Sequence, residues 1–206
     1  MPPKPVRPAP THFVCIPLAG PQLARSLAAF RTEVTNPANF GVPPGAVRPL
    51  GTMHLTLGVM SLKDEGAEQA AELLKGLKLR EILSRVKSAS SSEERLSITL
   101  KGLHAMHTHK NFDSIRATFQ EAGLMAKEDR PLLLHATVVN TIYVKGGRGK
   151  KREKLTLDAR DVINLYDNHV WLEDMLLEKV ALCRMGAKKI EGTDDEAYEV
   201  EAEVEF

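Results

Sequence analysis

The sequence predicts an α+β fold, and three observations point to it. Residues 53–60 and 132–143 have the period-two patterning or β-branched richness of strands, and each contains a histidine followed two places later by a threonine. Between and around them lie stretches whose apolar residues recur every three or four positions, the spacing of a helix face. Strands and helices also follow a loosely similar order in the two halves of the chain. That order suits an α+β domain better than a doubly wound parallel sheet.

Each element has its own signal. Residues 1–10 hold five prolines and read as an extended tail, leaving 11–206 as the folded part. Residues 12–18 form an apolar run closed by Gly20-Pro21, a strand. Leu23, Leu27, Phe30 and Val34 then make one face of a helix, which Asn36-Pro37 ends because the residue before a proline is pushed out of helical geometry. Residues 39–51 are rich in Gly and Pro and predict a loop. In 53–60, Met53, Leu55, Leu57 and Val59 alternate with His54, Thr56 and Gly58. A helix is expected over 64–79, a polar loop over 88–94 and a strand over 96–103. Asn111 suits the cap of a helix carrying Phe112, Ile115 and Phe119, ending near Gly123. Residues 132–143 predict a strand, 146–154 a basic insertion, 158–166 a short helix, and 176–184 and 198–206 two late strands.

Composition narrows the function classes. At 43% hydrophobic, the chain can bury a core, and with only 5% aromatics that core is aliphatic. A formal charge of +1 excludes bulk electrostatic coating of nucleic acid, though a local basic cleft is compatible with it. The tail lacks the apolar centre of a secretory signal, and no uncharged run is long enough to span a membrane. Cys15 and Cys183, each inside an apolar run, read as buried free thiols. The expectation is an intracellular protein, nuclear and/or cytoplasmic, monomeric and without membrane contact.

The paired motifs carry the chemistry. Residues i and i+2 share a face of a strand, so His54 points with Thr56, and His135 with Thr137. Each pair offers an imidazole that changes charge near neutral pH and a hydroxyl that donates hydrogen bonds. With twelve threonines in 206 residues, two such pairs among seven histidines is roughly a 7% accident. Breaking a phosphodiester needs one group to take a proton and another to protonate the leaving oxygen, and two histidines can divide those roles. Thr56 and Thr137 can bond the non-bridging oxygens as charge builds on them.

His54-Leu55-Thr56-Leu57 and His135-Ala136-Thr137-Val138 resemble the tandem H-x-T motifs of the two-histidine (2H) phosphoesterases, which include RNA-ligase-like cyclic phosphodiesterases. The run from Arg48 to Leu62 is similar to the phosphoesterase-like domain of A-kinase anchoring proteins and of a transcription-coactivator complex subunit. Residues 158–190 are similar to the closing portion of that domain. The resemblance implies a single two-lobed domain over 11–206, with pseudo-twofold antiparallel sheets around a central cleft and helices packed outside. It implies metal-independent action on RNA-like phosphodiesters, 2′,3′-cyclic or 2′,5′-linked, with His54, Thr56, His135 and Thr137 as catalytic residues. No cofactor or metal is expected, and the ligand is a nucleotide or RNA end. The alternative is a nucleotide- or RNA-binding module without turnover; a third reading is a scaffold with a vestigial cleft. The kinase-anchoring helix of some relatives has no counterpart here.

Other features weigh less. His104, His107 and His109 suggest metal, but no acid adjoins them and Asp113 is the nearest along the chain, so a polar turn is preferred. His12 could reach a cleft, and His169 is peripheral. Residues 145–154 hold six bases and one acid, a candidate nuclear-targeting patch or RNA clamp, with a solvated loop as an equal alternative. Phe13, Tyr166 and Trp171 could stack on a base, with core packing preferred for each. Glu199, Glu201, Glu203 and Glu205 alternate with Val200, Ala202 and Val204, as on a strand with one face in water.

Overall fold

The structure is a computed structural model that describes residues 8–86, 96–104, 113–126, 132, 134–144 and 155–206. Its main sheet has four antiparallel strands, with β1 (His12–Pro17) and β5 (Lys179–Arg184) inside, and β2 (His54–Met60) and β8 (Val200–Glu205) outside. Alternation along β1 sorts its side chains. Val14 and Ile16 enter the main core with Leu55, Leu57, Val180 and Leu182. Phe13 and Cys15 face the other way, into a small cluster with Ala181 and Cys183 that Tyr198 covers. This second face becomes the floor of the cleft.

Helix α1 (Pro21–Thr35) starts at a proline, tolerated there because the first helical N–H has no intrahelical partner. Gly20 enters it at φ +117°, open to glycine and not to a side chain. The predicted stripe is the buried one: Leu23, Leu27, Phe30 and Val34. Phe30 meets Tyr166 and Trp171 edge-on at 4.9 and 5.1 Å, against α5 (Arg160–Tyr166) and β4 (Val170–Leu176). Asn36 ends the helix in extended geometry. The expected helix over 64–79 is two: α2 (Asp64–Lys75), stopped at Gly76, and α3 (Leu79–Val86). α2 packs on β5 and β8, while α4 (Asp113–Glu121) packs on β2 through the region of buried Ile115 and Phe119.

Two expectations need correction. The late strand expected over 176–184 breaks at 177–178, separating β4 from β5. β4 pairs antiparallel with β3 (Ser97–Lys101), and its faces do not alternate: Trp171 and Leu172 are both buried, Glu173 and Asp174 both exposed. Asp174 has φ +47°, and the β3–β4 register shifts nearby, so a bulged strand hid behind irregular patterning. The segment 132–143, expected as a strand, pairs at a single bridge, Val47 with Val139. Its partner loop explains this: Ala46 N turns back to the Pro43 carbonyl at 2.8 Å and so cannot donate to Asn140 to extend a ladder. Two backbone bonds remain, Arg48 N to Val138 O at 2.9 Å and Asn140 N to Ala46 O at 2.7 Å. A helical turn at Thr141–Tyr143 then ends the extended run.

The expected loop 39–51 contains two such turns, Pro44–Ala46 and Leu50–Thr52. A two-stranded hairpin, β6 (Lys188–Lys189) and β7 (Glu196–Ala197), precedes β8. In β8 the glutamates face water and Ala202 is buried, as the alternation predicts, though Val200 is half exposed. The polar loop 88–94, the helix cap at Asn111 and Phe112, the basic stretch 145–154 and most of the proline-rich tail lie outside the described residues. Among the described residues no helix is long and apolar enough to cross a membrane.

Candidate active site

β2 holds the first motif by regular pairing with β1, Thr56 opposite Cys15 and His54 opposite Pro17. The ladder shifts at Val14/Cys15, so Leu57 is buried, Val59 swings to the cleft side and Met60 is buried instead. The predicted alternation therefore holds from Met53 to Leu57 and inverts after it. Gly58 sits at the irregularity, where a Cβ would fall 2.3 Å from the Met125 thioether and push that flexible side chain aside.

The strand presents His54 and Thr56 to a cleft of about 170 Å³. Phe13 and Tyr198 form its floor, and Thr137 and Asn140 come from the second motif's segment. Arg48, Thr52, Val59, Tyr143 and Met185 complete the lining. Thus three of the four predicted residues, His54, Thr56 and Thr137, line one cleft. His135 is half-buried and is not part of this lining, but it is close enough to His54 for its charge to act on that imidazole. Among the described residues no carboxylate lines the cleft.

His54 is held in one orientation. Its Nδ1 lies 2.7 Å from the carbonyl oxygen of Thr52, which can only accept, so Nδ1 carries a proton and donates it. Nε2 is left for the cleft. The ring packs against Phe13 at 4.9 Å and meets Tyr198 edge-on at 5.4 Å. Burial pushes the His54 proton affinity down, the Thr52 bond opposes this, and the charges of Arg48 and His135 push it further down; the net shift is downward. His54 is consequently a neutral imidazole at neutral pH, with a free lone pair on Nε2.

Arg48 opens the run that resembles the phosphoesterase-like domain, but nothing in the sequence assigns it a role. Its backbone N–H bonds Val138, one residue past Thr137, and its guanidinium carbon lies 3.8 Å above the Tyr143 ring. Nη2 donates to the Tyr198 hydroxyl at 3.5 Å. Burial, then the neighbouring Tyr143, push the Tyr198 phenol up to about 12, so it keeps its proton across the physiological range. Tyr198 was likewise illegible: it precedes its strand and arrives from far along the chain.

The remaining candidates lie elsewhere. His12, nearly fully buried, accepts or donates a bond with Thr11 at 2.9 Å and lies 3.8 Å from Glu201, and it does not line the cleft. Tyr166 and Trp171 are in the main core, whereas Phe13 is buried and floors the cleft. His169 packs on Trp171. His104 is exposed and lies 3.8 Å from Asp167, an acid nearer in space than along the chain; His107 and His109 lie outside the described residues. Among the described residues no three His, Cys, Asp or Glu side chains group as a metal site would require. Cys15 and Cys183 are buried free thiols with sulfurs 3.9 Å apart.

This fold, antiparallel sheet with helices packed on one side, is close to that of the 2H phosphoesterase LigT. Residues 10–206 match the family model of the AKAP7 2′5′ RNA ligase-like domain, and the chain belongs to that family. An uncharacterised protein of Schizosaccharomyces pombe is 24% identical over 188 residues, spanning 85% of this chain and 86% of its own. The E. coli LigT structure solved with 3′-AMP is similar in fold, at 16% identity and a TM-score of 0.50, covering 95% of this chain and 97% of LigT.

Proposed function

We propose that the chain is a phosphodiesterase that cleaves RNA-like phosphodiesters, 2′,3′-cyclic or 2′,5′-linked, without a metal ion. The observation that carries this reading is the state of His54: neutral, fixed through Nδ1, and offering Nε2 to a cleft shared with Thr56 and Thr137. In the proposed step, Nε2 takes a proton from water or a ribose hydroxyl as that oxygen bonds to phosphorus. The opposite phosphorus–oxygen bond breaks, and the leaving oxygen takes a proton from His135. Thr56 and Thr137 donate to the non-bridging oxygens. Among the described residues the lining offers no carboxylate and includes a buried arginine, a poor cage for a divalent ion, which supports a metal-independent route. Family membership and the fold shared with LigT, solved with 3′-AMP, support a nucleotide as the ligand. On this reading residues 11–206 work as one two-lobed unit.

Turnover of a panel of 2′,3′-cyclic and 2′,5′-linked nucleotides, with and without EDTA, tests the proposal. Activity that is indifferent to EDTA and lost in His54→Ala and His135→Ala is the expected result. Binding of nucleotides with no turnover of any member would leave a binding module instead.

A further inference from the structure

We infer that Arg48 is the anion-holding residue of this cleft, binding the non-bridging oxygens of the ligand's phosphate and so selecting charged phosphorus esters. The inference deepens the phosphodiesterase reading and rests on it for the identity of the ligand. Arg48 is only 6% exposed. Charged side chains are rarely buried so far without a partner of opposite charge, because desolvation of the ion must be offset. Among the described residues no carboxylate meets Arg48. It has a ring face on one side and one long bond to a phenol that stays protonated.

A guanidinium carries five N–H donors in a planar fork that matches the oxygens of a phosphate. Here one donor is weakly used, while the plane is held by stacking on Tyr143 and the backbone by the bond to Val138. That is a cation placed in advance. Its position beside the reacting group fits too. Arg48 acts on His54 through space, together with His135, and Tyr198 is the other titratable group against the imidazole. A bare cation beside a base opposes proton uptake by that base. A phosphate bound between them cancels the opposition when the proton has to move.

The alternative is that Arg48 only ties its loop to the second motif by stacking. Calorimetry with inorganic phosphate, adenosine 3′-monophosphate and adenosine separates the two, using wild type, Arg48→Met and Arg48→Lys. We expect Arg48→Met to weaken both phosphate-bearing probes by roughly 10- to 100-fold and leave adenosine within about twofold. Arg48→Lys, which keeps charge without the fork, should fall between. Equal binding of the phosphates in Arg48→Met, or equal losses for nucleotide and nucleoside, overturns the assignment. Should Arg48→Met fail to fold, the wild type alone decides: inorganic phosphate must shift the Arg48 side-chain resonances and raise the proton affinity of His54. Absence of both shifts refutes the role. If phosphate depends on Arg48 while no diester is turned over, the anion site stands and the catalytic reading falls.

Discussion

Acid should reveal His54 before any substrate is known. An ordinary histidine titrates near 6.5, so at that pH half of it has lost its lone pair. Burial, with Arg48 and His135, holds His54 below that value against the opposing Thr52 bond. More than half of it therefore stays neutral at pH 6.5, and the acid limb of kcat/KM should have its midpoint below 6.5. The same shift acts on stability. Above 6.5 the imidazole is neutral in both folded and unfolded chains and contributes nothing. As pH falls from 6.5 toward the lower folded value, the unfolded chain takes up a proton that the folded one refuses, so stability declines, and it levels off below the folded value. Each tenfold difference in proton affinity between the states is worth about 1.4 kcal/mol. Proton NMR of the imidazole and urea unfolding across pH 4–8 measure both effects. In His54→Gln this part of the acid sensitivity should vanish, with turnover reduced by about 10²–10⁴-fold as a general base is lost. A His54 resonance titrating at or above 6.5, or a variant more acid-sensitive than wild type, would refute the reasoning.

His135→Ala should also cost about 10²–10⁴-fold in turnover, and the His54→Ala/His135→Ala double variant should be little worse than the poorer single one, since the two act as a unit. Rates that multiply would separate them. Gly51→Ala would bring a Cβ to 2.5 Å from the Glu196 carbonyl oxygen, where backbone must move, so a loss of about 1–3 kcal/mol is expected in urea unfolding. Neutralising Lys150, Lys151 and Arg152 should flatten the salt dependence of single-stranded oligonucleotide affinity by about 2 in log–log slope if all three meet phosphates. An unchanged slope would remove them from the binding surface.

The parts of this molecule that were legible in its sequence are those where one face is buried without interruption. The α1 stripe is one, because each of Leu23, Leu27, Phe30 and Val34 meets core and nothing intervenes. The first motif is another as far as Leu57. Beyond it the ladder shift inverts the faces, and no residue type announces that before Gly58. β4 was hidden because paired residues, not single ones, share each face. The second motif's segment looked like a strand because its residues favour extended backbone; whether it becomes a strand depends on a partner, and the partner's Ala46 N–H is taken up in a turn with Pro43. Arg48 and Tyr198 had no pattern to betray them. Their meaning arises only when chain segments about 150 residues apart meet at the cleft.

The proline-rich loop that weakens the sheet has a compensating consequence for the site. His54 sits on a strand paired along its length, with its ring fixed by Thr52 at the end of the same loop. Thr137 belongs to a segment bonded to that loop, among the described residues, by two backbone bonds, Arg48 N to Val138 O and Asn140 N to Ala46 O. The loop is itself clamped, because the Arg31 guanidinium donates to the Val47 carbonyl at 2.9 Å and Gly51 N to the Asp195 carboxylate at 3.1 Å. One short stretch, 46–52, thus sets the distance between the two motifs, places the buried cation and fixes the tautomer of the base. The two backbone bonds hold Arg48 and Asn140 by their main chains, and their side chains line the same cleft as Thr52.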